Sequence, residues 1–490
     1  MTYDFTTFAH LPAVRAAAAP DAPAVADDAV DLDNAAFDGA VRSAAAVLRA
    51  AGVGPGDVVA VKLPNTALLV VTLFASWHLG AAATPINPYL AQPEVEYQVR
   101  DAGAAVLVTD AGAPAGVTVI AAEALLGHAP DTAEPVAAPS DLALLIYTSG
   151  TTGRPKGVML DHANLVAMSE MSSAAFEFDA DDHSLLILPL FHVNAIVVST
   201  LNPLRGGGRV TIAGRFDPRT FFDVLSETGA TYFSAVPTIY TMLAGLPPEV
   251  RPDLSRVRFG VCGAAPASRE LLEGFEARYG FPLIEGYGLS ECTCAATCNP
   301  LNGIRKVGSV GLPLPGQQIR IVDGAGADVP AGEPGEVLLA GPNIMRGYLG
   351  RPEETAKSVV DGWLRTGDVG ILDSDGYLRL VDRAKDMIIR GGENIYPKEI
   401  ETAVYGVSGV AEAAVIGRPD PKYGELPVLY VSPAPGVRLD VDVIATHARA
   451  QLAKYKQPVA ITVLDALPKN PVGKIDKPSL RRLDAAAPTA

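Results

Sequence analysis

Short runs of small and β-branched apolar residues alternate, over the first several hundred residues, with alanine-rich stretches of helical length. Residues 35–51 form one such helical stretch, and residues 58–61, 105–108 and 184–190 are three of the strand-like runs. Gly, Pro or Asp bounds each run, and strands that are separated by helices usually pair in parallel. The alternation predicts an α/β fold with doubly wound sheets for the larger part of the chain.

The pattern changes after about residue 316, where short strands follow one another with turn signals between them. Residues 318–322, 335–339 and 376–381 are the clearest of these strands. Such spacing is typical of antiparallel hairpins. We therefore predict a small β-rich subdomain at the end of the larger domain.

The last hundred residues carry a pattern of their own, sufficient for a small α+β domain. It begins near Asp382, and its elements are a helix, a strand and a helix, at residues 397–405, 411–416 and 440–455. Because 490 residues are too many for one core of usual size, a second unit is expected. We predict two domains, residues 1–382 and a mobile C-terminal domain, residues 383–490.

Composition and charge argue against nucleic acid as a partner and against a membrane span. The chain is 49% hydrophobic, as in compact globular proteins, and its formal net charge is −16. A nucleic-acid site would need Lys and Arg gathered on one face. The sequence has no signal-peptide pattern and no run of 18 apolar residues. We expect a cytoplasmic protein without a membrane span, and its oligomeric state, homodimer included, is open.

Three of the four cysteines, Cys292, Cys294 and Cys298, lie close together in the sequence. One interpretation is a metal site, but a structural zinc needs four soft ligands, and no further Cys or His lies at a supporting spacing. The alternative, small apolar side chains that line a pocket or the core, is favoured.

The most informative segment is residues 147–157, Tyr-Thr-Ser-Gly-Thr-Thr-Gly-Arg-Pro-Lys-Gly, which lies between two strand-like runs. Its hydroxyl groups can donate to phosphate oxygens, its glycines let backbone N–H groups close around an anion, and its lysine supplies a charge. The residues concerned are Thr148, Ser149, Gly150, Thr151, Thr152, Gly153, Lys156 and Gly157. We interpret the segment as a phosphate-binding loop; the alternative is an exposed linker of turn-forming residues.

This loop differs from the P-loop of nucleotide hydrolases. The P-loop motif is G-x-x-x-x-G-K-[ST], whereas here Pro155 stands at the second Gly position and Gly157 at the Ser or Thr position. The hydrolase class is therefore excluded.

Together with four later segments, the loop resembles the adenylate-forming superfamily of acyl-CoA synthetases, luciferases and peptide-synthetase adenylation domains. The later segments keep the family's order and lie at residues 286–291, 366–368, 382–401 and 468–474. The resemblance spans most of the chain. It implies a two-domain ligase that uses ATP and Mg²⁺ to convert a carboxylic acid to its acyl-AMP and then passes the acyl group to coenzyme A.

The chemistry of such a ligase requires positive charge at the reacting centre. A carboxylate must attack the α-phosphorus of ATP while both are negatively charged, so the site has to neutralise their repulsion and align them. By resemblance, Lys474 reaches both the carboxylate and the α-phosphate, and Glu291 is a Mg²⁺ ligand. Thr148 is the second predicted metal ligand.

The resemblance also implies nucleotide contacts outside the loop. Asp368 matches the carboxylate that binds the ribose hydroxyls, and Arg383 matches the residue that helps fix ribose and phosphate. Backbone groups and the Tyr287 ring are expected to form an adenine slot, although residues 263–266 alone would suit an ordinary strand-to-helix turn. The predicted residues of this region are Gly263, Ala264, Ala265, Pro266, Gly286, Tyr287, Gly288 and Ser290.

A hinge is implied at Lys385, where a change of backbone angles would rotate the C-terminal domain between two arrangements. Lys474 would serve the first arrangement, adenylation. In the second arrangement Gly391 and Gly392 would face the site, since backbone without Cβ atoms leaves room for the pantetheine arm of CoA. An exposed loop charge is the alternative for Lys385.

Residues 188–195 match the family's pocket-lining motif, with His192 where amino-acid-activating members carry an Asp. An amino acid substrate is therefore not expected, and His192 is predicted to gate or flank the carboxylate; the alternative is a core histidine. The other predicted acyl-pocket residues are uncharged: Val193, Asn194, Val197, Phe233, Val236, Cys262, Gly288 and Cys294. Although Arg305 and Lys306 follow nearby, a second carboxylate on the substrate is disfavoured.

We predict an acyl-CoA synthetase for an apolar monocarboxylic acid, which could be fatty, aryl or polycyclic. The first alternative within enzymes is an acyl-AMP ligase that loads the phosphopantetheine of a carrier protein, and a luciferase-like oxidation has only the fold in its favour. A remoter alternative, from another class, is a nucleotide-binding module without catalysis. The presence of Glu291, Lys474 and the complete loop argues against that alternative.

Overall fold

The structure, a computed structural model, describes residue 3 and residues 5–112, 116–148, 155–265, 267–383, 386–390, 393–469 and 475–486. The chain divides into two compact units. One unit comprises Met1–Ile319 and Leu339–Arg365, and the other comprises Arg320–Leu338 and Thr366–Ala490.

The α-helices, in chain order, are α1 Leu11–Ala18, α2 Asn34–Ala50, α3 Ala67–His78, α4 Gln92–Asp101, α5 His162–Phe176, α6 Val193–Ile196, α7 Asn202–Gly206, α8 Phe221–Thr228, α9 Pro237–Ala244, α10 Arg269–Tyr279, α11 Pro352–Ser358, α12 Pro397–Tyr405, α13 Val441–Gln451 and α14 Lys477–Ala486. Side-chain caps begin several of them, because Ser, Thr and Asp can accept from the first free N–H groups. Asp33 accepts from Ala36, and Ser268 accepts from Leu271. None of the helices that the structure describes has the length and apolar character needed to cross a bilayer.

The strands, in chain order, are β1 Pro23–Ala26, β2 Asp31–Asp33, β3 Val58–Lys62, β4 Ala82–Pro85, β5 Val106–Thr109, β6 Thr118–Ile120, β7 Leu142–Thr148, β8 Lys156–Asp161, β9 His183–Leu186, β10 Arg209–Ile212, β11 Tyr232–Ala235, β12 Phe259–Cys262, β13 Leu283–Tyr287, β14 Thr297–Cys298, β15 Leu312–Pro313, β16 Gln318–Val322, β17 Gly335–Ala340, β18 Gly347–Tyr348, β19 Val359–Val360, β20 Trp363–Leu372, β21 Leu378–Arg383, β22 Ile388–Arg390, β23 Glu393–Ile395, β24 Val410–Asp420, β25 Gly424–Pro433 and β26 Ala460–Val463.

The first unit holds two large sheets that are mainly parallel. A nine-stranded sheet has the order β15-β14-β13-β12-β11-β9-β10-β1-β2, and a seven-stranded sheet has the order β18-β8-β7-β4-β3-β5-β6. Strands β13, β12, β11, β9 and β10 run parallel, whereas β7 and β8 form an antiparallel hairpin. The helix α3 is buried along almost its whole length, as expected of a helix that is apolar on all sides.

Smaller antiparallel sheets follow. Strands β16, β17, β20 and β19 form one sheet, with β21 paired to β20. In the second unit, β23, β22, β25 and β24 form another, and β26 joins it parallel to β25. A core of aliphatic side chains, Ile400, Val404, Val415 and Leu429 among them, lies between this sheet and helices α12 and α13.

The α/β class and the layered larger part agree with the sequence prediction, and most predicted elements are present. The predicted helix at 35–51 is α2, and the predicted helix at 397–405 is α12. Two predictions were too long: β9 ends at Leu186 rather than 190, and α13 ends at Gln451 rather than 455. After β9 the chain turns into the loop that carries His192, and Leu452 adopts extended backbone angles.

Candidate active site

Most of the predicted site segments in the first unit follow one edge of the nine-stranded sheet. His192 lies beyond β9, Val236 directly after β11, Gly263 directly after β12, and Gly286 and Tyr287 at the end of β13. These four strands are neighbours in the sheet and run parallel. In open α/β sheets, ligands bind outside the carboxyl ends of the strands. The topology therefore brings together segments that are up to about a hundred residues apart in sequence.

The predicted phosphate loop joins β7 to β8. Thr148 and Lys156 are directly opposite each other in that hairpin, so they close the base of the loop. Residues 149–154, which include Ser149, Gly150, Thr151, Thr152 and Gly153, lie outside the described residues. The Lys156 ammonium forms an ion pair with Glu354 and lies 5.1 Å from the centroid of the Tyr348 ring. The hydrogen bond from Lys156 lowers the pKa of Glu354.

The turn that carries Ser290 and Glu291 is tightly packed. A Cβ atom on Gly288 would lie 2.1 Å from the carbonyl oxygen of Cys294, so this position requires glycine. Two non-glycine residues, Thr293 and Cys294, have positive φ angles of 54° and 99°. Backbone in this region costs free energy and persists where its surroundings hold it in place. Here the holding contacts come from a residue outside the motif.

That residue is Asn343, whose side chain is fully buried. Its amide donates to the carbonyl oxygens of Cys292 and Ala295, at 3.0 and 3.2 Å, and its backbone carbonyl accepts from the Thr293 hydroxyl at 2.6 Å. The turn after β13 therefore has a fixed shape, which sets the direction of the Glu291 side chain. Its carboxylate accepts a 2.9 Å hydrogen bond from the Tyr348 hydroxyl.

The predicted adenine segment begins at the end of β12. Ala264 has a φ angle of 65°, the left-handed region that non-glycine residues rarely adopt. A Cβ atom on Gly263 would meet only one atom within 4 Å, the carbonyl oxygen of Gly286 at 3.8 Å. The neighbouring Ala265 follows in the same bend, and Pro266 lies outside the described residues. Strained backbone at the end of a parallel strand is typical of a ligand site.

His192 caps the start of α6 in extended conformation, and its ring lies 4.5 Å from that of Phe191. Asn65 fixes the preceding segment, because its side chain donates to Leu188 O at 2.8 Å and accepts from Leu190 N at 2.9 Å. His192 is half-buried rather than a fully enclosed core residue.

The helix that begins at α6 contains a π turn. Residues Val197–Leu201 have π geometry between α6 and α7, and the Thr200 hydroxyl donates to Ala195 O at 2.9 Å. Such turns are rare and often occur at functional sites. Val193 and Val197 on this segment are buried, while Asn194 is half-buried.

Two of the predicted acyl-pocket residues belong to a core cluster. Phe233 and Cys262 are fully buried in a core cluster that includes Phe221, Tyr240 and Phe275. Because strand residues alternate between faces, Ser234 points away from this cluster, and its hydroxyl donates to Asn194 at 2.9 Å. The structure therefore places Phe233 and Cys262 in this cluster and Ser234 beside Asn194, and a lining role for Phe233 and Cys262 stays a prediction.

The three neighbouring cysteines are packed among apolar side chains, since Cys292 is fully buried and Cys294 and Cys298 lie against a core cluster. Burial raises the pKa of Cys294 and of Cys298 to about 12, and that of Cys292 also rises. In the part of the chain that the structure describes, no three His, Cys, Asp or Glu side chains form a metal site. A Mg²⁺ ion bound through nucleotide phosphates needs only one or two protein carboxylates, and Glu291 fits that role.

The second unit carries the predicted ribose contacts. Asp368 on β20 and Arg383 on β21 are directly paired across the two strands. Asp368 is buried, and its backbone N–H donates to the Thr366 hydroxyl at 3.0 Å. The Thr366 hydroxyl in turn donates to Val337 O. The predicted hinge Lys385, the pair Gly391 and Gly392, and Lys474 lie outside the described residues.

The sequence did not point to Tyr348, Glu354, Asn343 or Asn65. The one available signal is Gly347-Tyr348 shortly before a helix that starts with Pro352, since a glycine before an aromatic residue suggests close backbone packing. Asn residues in loops carry no such signal.

Comparison with known proteins gives matches along most of the chain. The family model of the AMP-binding enzymes matches residues 13–349, and the model of their C-terminal domain matches residues 399–474. A feruloyl-CoA synthase from an Amycolatopsis species is 40% identical over 481 residues, 96% of this chain and 98% of that protein. The sulfoacetate–CoA ligase of Cupriavidus necator is 37% identical, with 96% and 97% covered. The crystal structure of ATP-bound MatB from Rhodopseudomonas palustris has a TM-score of 0.91 at 32% identity and covers 98% of this chain and 99% of that one.

The chain therefore belongs to the AMP-binding enzyme family. Within it, the protein is an acid–thiol ligase of the acyl-CoA synthetase type. ATP-dependent CoA ligases use ATP with Mg²⁺ and take coenzyme A as co-substrate.

Proposed function

We propose that the protein converts an apolar monocarboxylic acid, most specifically one that bears an aryl group, to its CoA thioester through an acyl-adenylate. The observation that carries the reaction is the convergence of the His192, Gly263 and Glu291 segments at the carboxyl ends of neighbouring parallel strands. The 40% identity to a feruloyl-CoA synthase supports the aryl acid.

In the first half-reaction, a carboxylate oxygen of the acid attacks the α-phosphorus of ATP, and diphosphate leaves. Lys156 at the base of the loop supplies positive charge to the departing phosphates, and Lys474 supplies it to the carboxylate and the α-phosphate. Glu291 would hold Mg²⁺ through a hard carboxylate oxygen, and the bound ion would supply positive charge that offsets the charge of the phosphates. Loss of one preorganised charge of this kind costs about 10²- to 10³-fold in rate.

In the second half-reaction, the CoA thiolate attacks the acyl carbonyl carbon and AMP leaves. The Asp368 and Arg383 pair on β20 and β21 holds the ribose of the nucleotide. Lys385 acts as the hinge between the two arrangements, with Gly391 and Gly392 beside the pantetheine arm. Residues 1–382 and 383–490 are the two domains that this motion requires.

The charge of the substrate is inferred from the residues of the predicted acyl site. Arg305, one of the two basic residues that follow nearby in the sequence, forms a 2.8 Å ion pair with Glu276. The residues of α6 and the π turn are uncharged, and the polar pair there is Asn194 with Ser234. A second carboxylate or sulfonate that lost its hydration beside these uncharged residues would find no cation among them, which is costly. This argues for a monoacid, in contrast to the sulfoacetate ligase.

The test is mass spectrometry of the products formed from ATP, Mg²⁺ and a matched panel of acids, with and without CoA. The panel holds cinnamate, ferulate, octanoate, palmitate, a polycyclic propanoate, malonate and sulfoacetate. Acyl-AMP without CoA and acyl-CoA with it, strongest for the aryl acids, is expected. Acyl-AMP that never converts would identify a carrier protein as the acceptor, and turnover of malonate or sulfoacetate alone would overturn the monoacid assignment.

A further inference from the structure

A short strand outside the recognised motifs connects the two halves of the phosphate site. Strand β18 pairs antiparallel with β8, the strand that begins at Lys156, and Leu349 N–H donates to Gly157 O at 2.9 Å. At its other end, Met345 N–H donates to Glu291 O at 2.9 Å. The backbone of residues 345–349 is thus bonded both to the phosphate-loop hairpin and to the turn that holds Glu291.

The side chain of Tyr348 repeats this connection. Its hydroxyl donates to Glu291 Oε1 at 2.9 Å, and its ring centroid lies 5.1 Å from Lys156 Nζ. A cation near an aromatic face is attracted by the ring's quadrupole. A phenol ordinarily titrates at about pH 10, so the Tyr348 hydroxyl is a donor at neutral pH.

The position of Tyr348 is set by the helix that follows. Its N–H donates to the Thr355 hydroxyl at 2.9 Å, and that hydroxyl donates to Arg351 O at 2.9 Å. The preceding Gly347 has a φ angle of 140°, and a Cβ atom there would lie 2.4 Å from Thr355. This close packing also directs Glu354, one residue before Thr355, to Lys156. Side chains from β8, β18 and α11 therefore meet at the Lys156 ammonium.

We propose that Tyr348 is a positioning residue for adenylate formation, which holds the metal-binding carboxylate of Glu291 and the ammonium of Lys156 at a fixed separation. The inference rests on the proposed function only because that function gives Glu291 and Lys156 their roles. The two contacts of Tyr348 can be tested separately, because its hydroxyl bonds to Glu291 and its ring contacts Lys156. A free carboxylate rotates among several rotamers, so its hydrogen bond to Tyr348 keeps it in one orientation before the metal arrives.

The experiment compares Tyr348→Phe and Tyr348→Leu with the wild-type protein. ATP binding is measured by titration calorimetry over a range of free Mg²⁺, and diphosphate release over the same range with the best acid of the panel. Tyr348→Phe is expected to need about tenfold more Mg²⁺, the effect of one lost hydrogen bond to a charged group, with the KM for the acid unchanged. Tyr348→Leu is expected to raise the Kd for ATP as well, since the ring is also gone.

The matched control is Tyr279→Phe, which loses a 2.7 Å hydrogen bond from a buried phenol to Leu243 O in the core of the same unit. Its Mg²⁺ dependence is expected to remain that of the wild-type protein. The inference is overturned if Tyr348→Phe titrates like the wild-type protein, if Tyr279→Phe shifts equally, or if ATP binding does not depend on Mg²⁺. If the calorimetric shift occurs although no acid of the panel yields acyl-AMP, the positioning role stands and the proposed function fails.

Discussion

The Ser234 hydroxyl donates a 2.9 Å hydrogen bond to the side-chain oxygen of Asn194 and so ties β11 to the first turn of α6. Ser234 is almost fully buried, and Asn194 lies two residues after His192. Since the bond orients the amide beside the predicted carboxylate gate, Ser234→Ala is expected to raise the KM for the acid about fivefold and leave the KM for ATP unchanged. The loss corresponds to about 1 kcal/mol for one hydrogen bond.

Initial-rate kinetics with either substrate varied would check this. Ser169→Ala is the control, because Ser169 is a buried serine of α5 whose hydroxyl has no hydrogen-bond partner within the described chain. Equal changes in both KM values of Ser234→Ala would show that the pair does not serve the acyl side.

Gly288→Ala should damage the Glu291 turn. The added Cβ would lie 2.1 Å from Cys294 O and 2.5 Å from Ala295 Cα, and neither backbone atom can move without shifting the turn. We expect at least a 10²-fold loss in acyl-AMP formation and a loss of about 1–3 kcal/mol in the free energy of unfolding. Diphosphate release and urea unfolding measure the two effects.

Gly274→Ala is the control for that change. Gly274 lies inside α10, where a Cβ would meet nothing within 4 Å, so alanine should stabilise the helix by up to about 1 kcal/mol. Gly288→Ala with wild-type activity would contradict the tight-turn interpretation.

Stability is expected to fall in mild acid because of His162. This residue is fully buried against Trp77, its ring nitrogens have no hydrogen-bond partner among the described residues, and desolvation lowers its pKa from 6.5 to about 4. Above pH 6.5 the His162 ring is neutral in both the folded and the unfolded protein, so it does not change the free energy of unfolding. Between pH 6.5 and 4 only the unfolded state binds the proton, so the free energy of unfolding falls by about 1.4 kcal/mol per pH unit.

In urea unfolding between pH 7.5 and 5, the free energy of unfolding of His162→Phe should fall less steeply with decreasing pH than that of the wild-type protein. The difference in slope should correspond to about one bound proton. His183, whose pKa desolvation lowers to about 3, keeps part of the acid sensitivity in that variant. His128→Gln, at an exposed position, should leave the slope as in the wild-type protein. An unchanged slope in His162→Phe would mean that His162 is charged in the folded state.

Lys474→Ala should separate the two half-reactions. If Lys474 serves adenylation alone, the variant loses acyl-AMP formation by about 10²-fold or more but still converts supplied acyl-AMP to acyl-CoA at close to the wild-type rate. Quenched assays of each half-reaction would measure this. Lys469→Ala, a lysine of the same segment that forms an ion pair with Glu412, is the control. Equal loss in both halves would refute the two-arrangement mechanism.

The sequence is most informative where chemistry and backbone geometry coincide in one continuous segment. The phosphate loop, the Glu291 turn and the end of β12 are such segments, because glycines and hydroxyls in a set order have few other uses. The structure places the Gly263 bend after β12 and the Glu291 turn after β13, and it pairs Thr148 with Lys156 on the two strands that flank the loop. Boundaries were less certain, as at β9 and α13, because local propensity does not say where tertiary packing ends an element.

The orientation of side chains in buried strands was not predictable. Phe233 and Ser234 are adjacent on β11, and either could have faced α6, since a strand buried on both faces has no polar and apolar alternation to orient it. The aromatic cluster around Phe221 and Tyr240 decides that Phe233 faces the core and leaves Ser234 for Asn194.

The α/β class, the family's motifs and the acid-activating chemistry that they imply could be read from the sequence, because they depend on residue types at short spacing. Which distant residues meet these motifs is set by how the strands pair and pack. Tyr348 lies 57 residues from Glu291, yet the pairing of β18 with β8 joins its phenol to that carboxylate. Contacts of this kind depend on strand order and on close packing across the sheet, and neither is written in any local pattern.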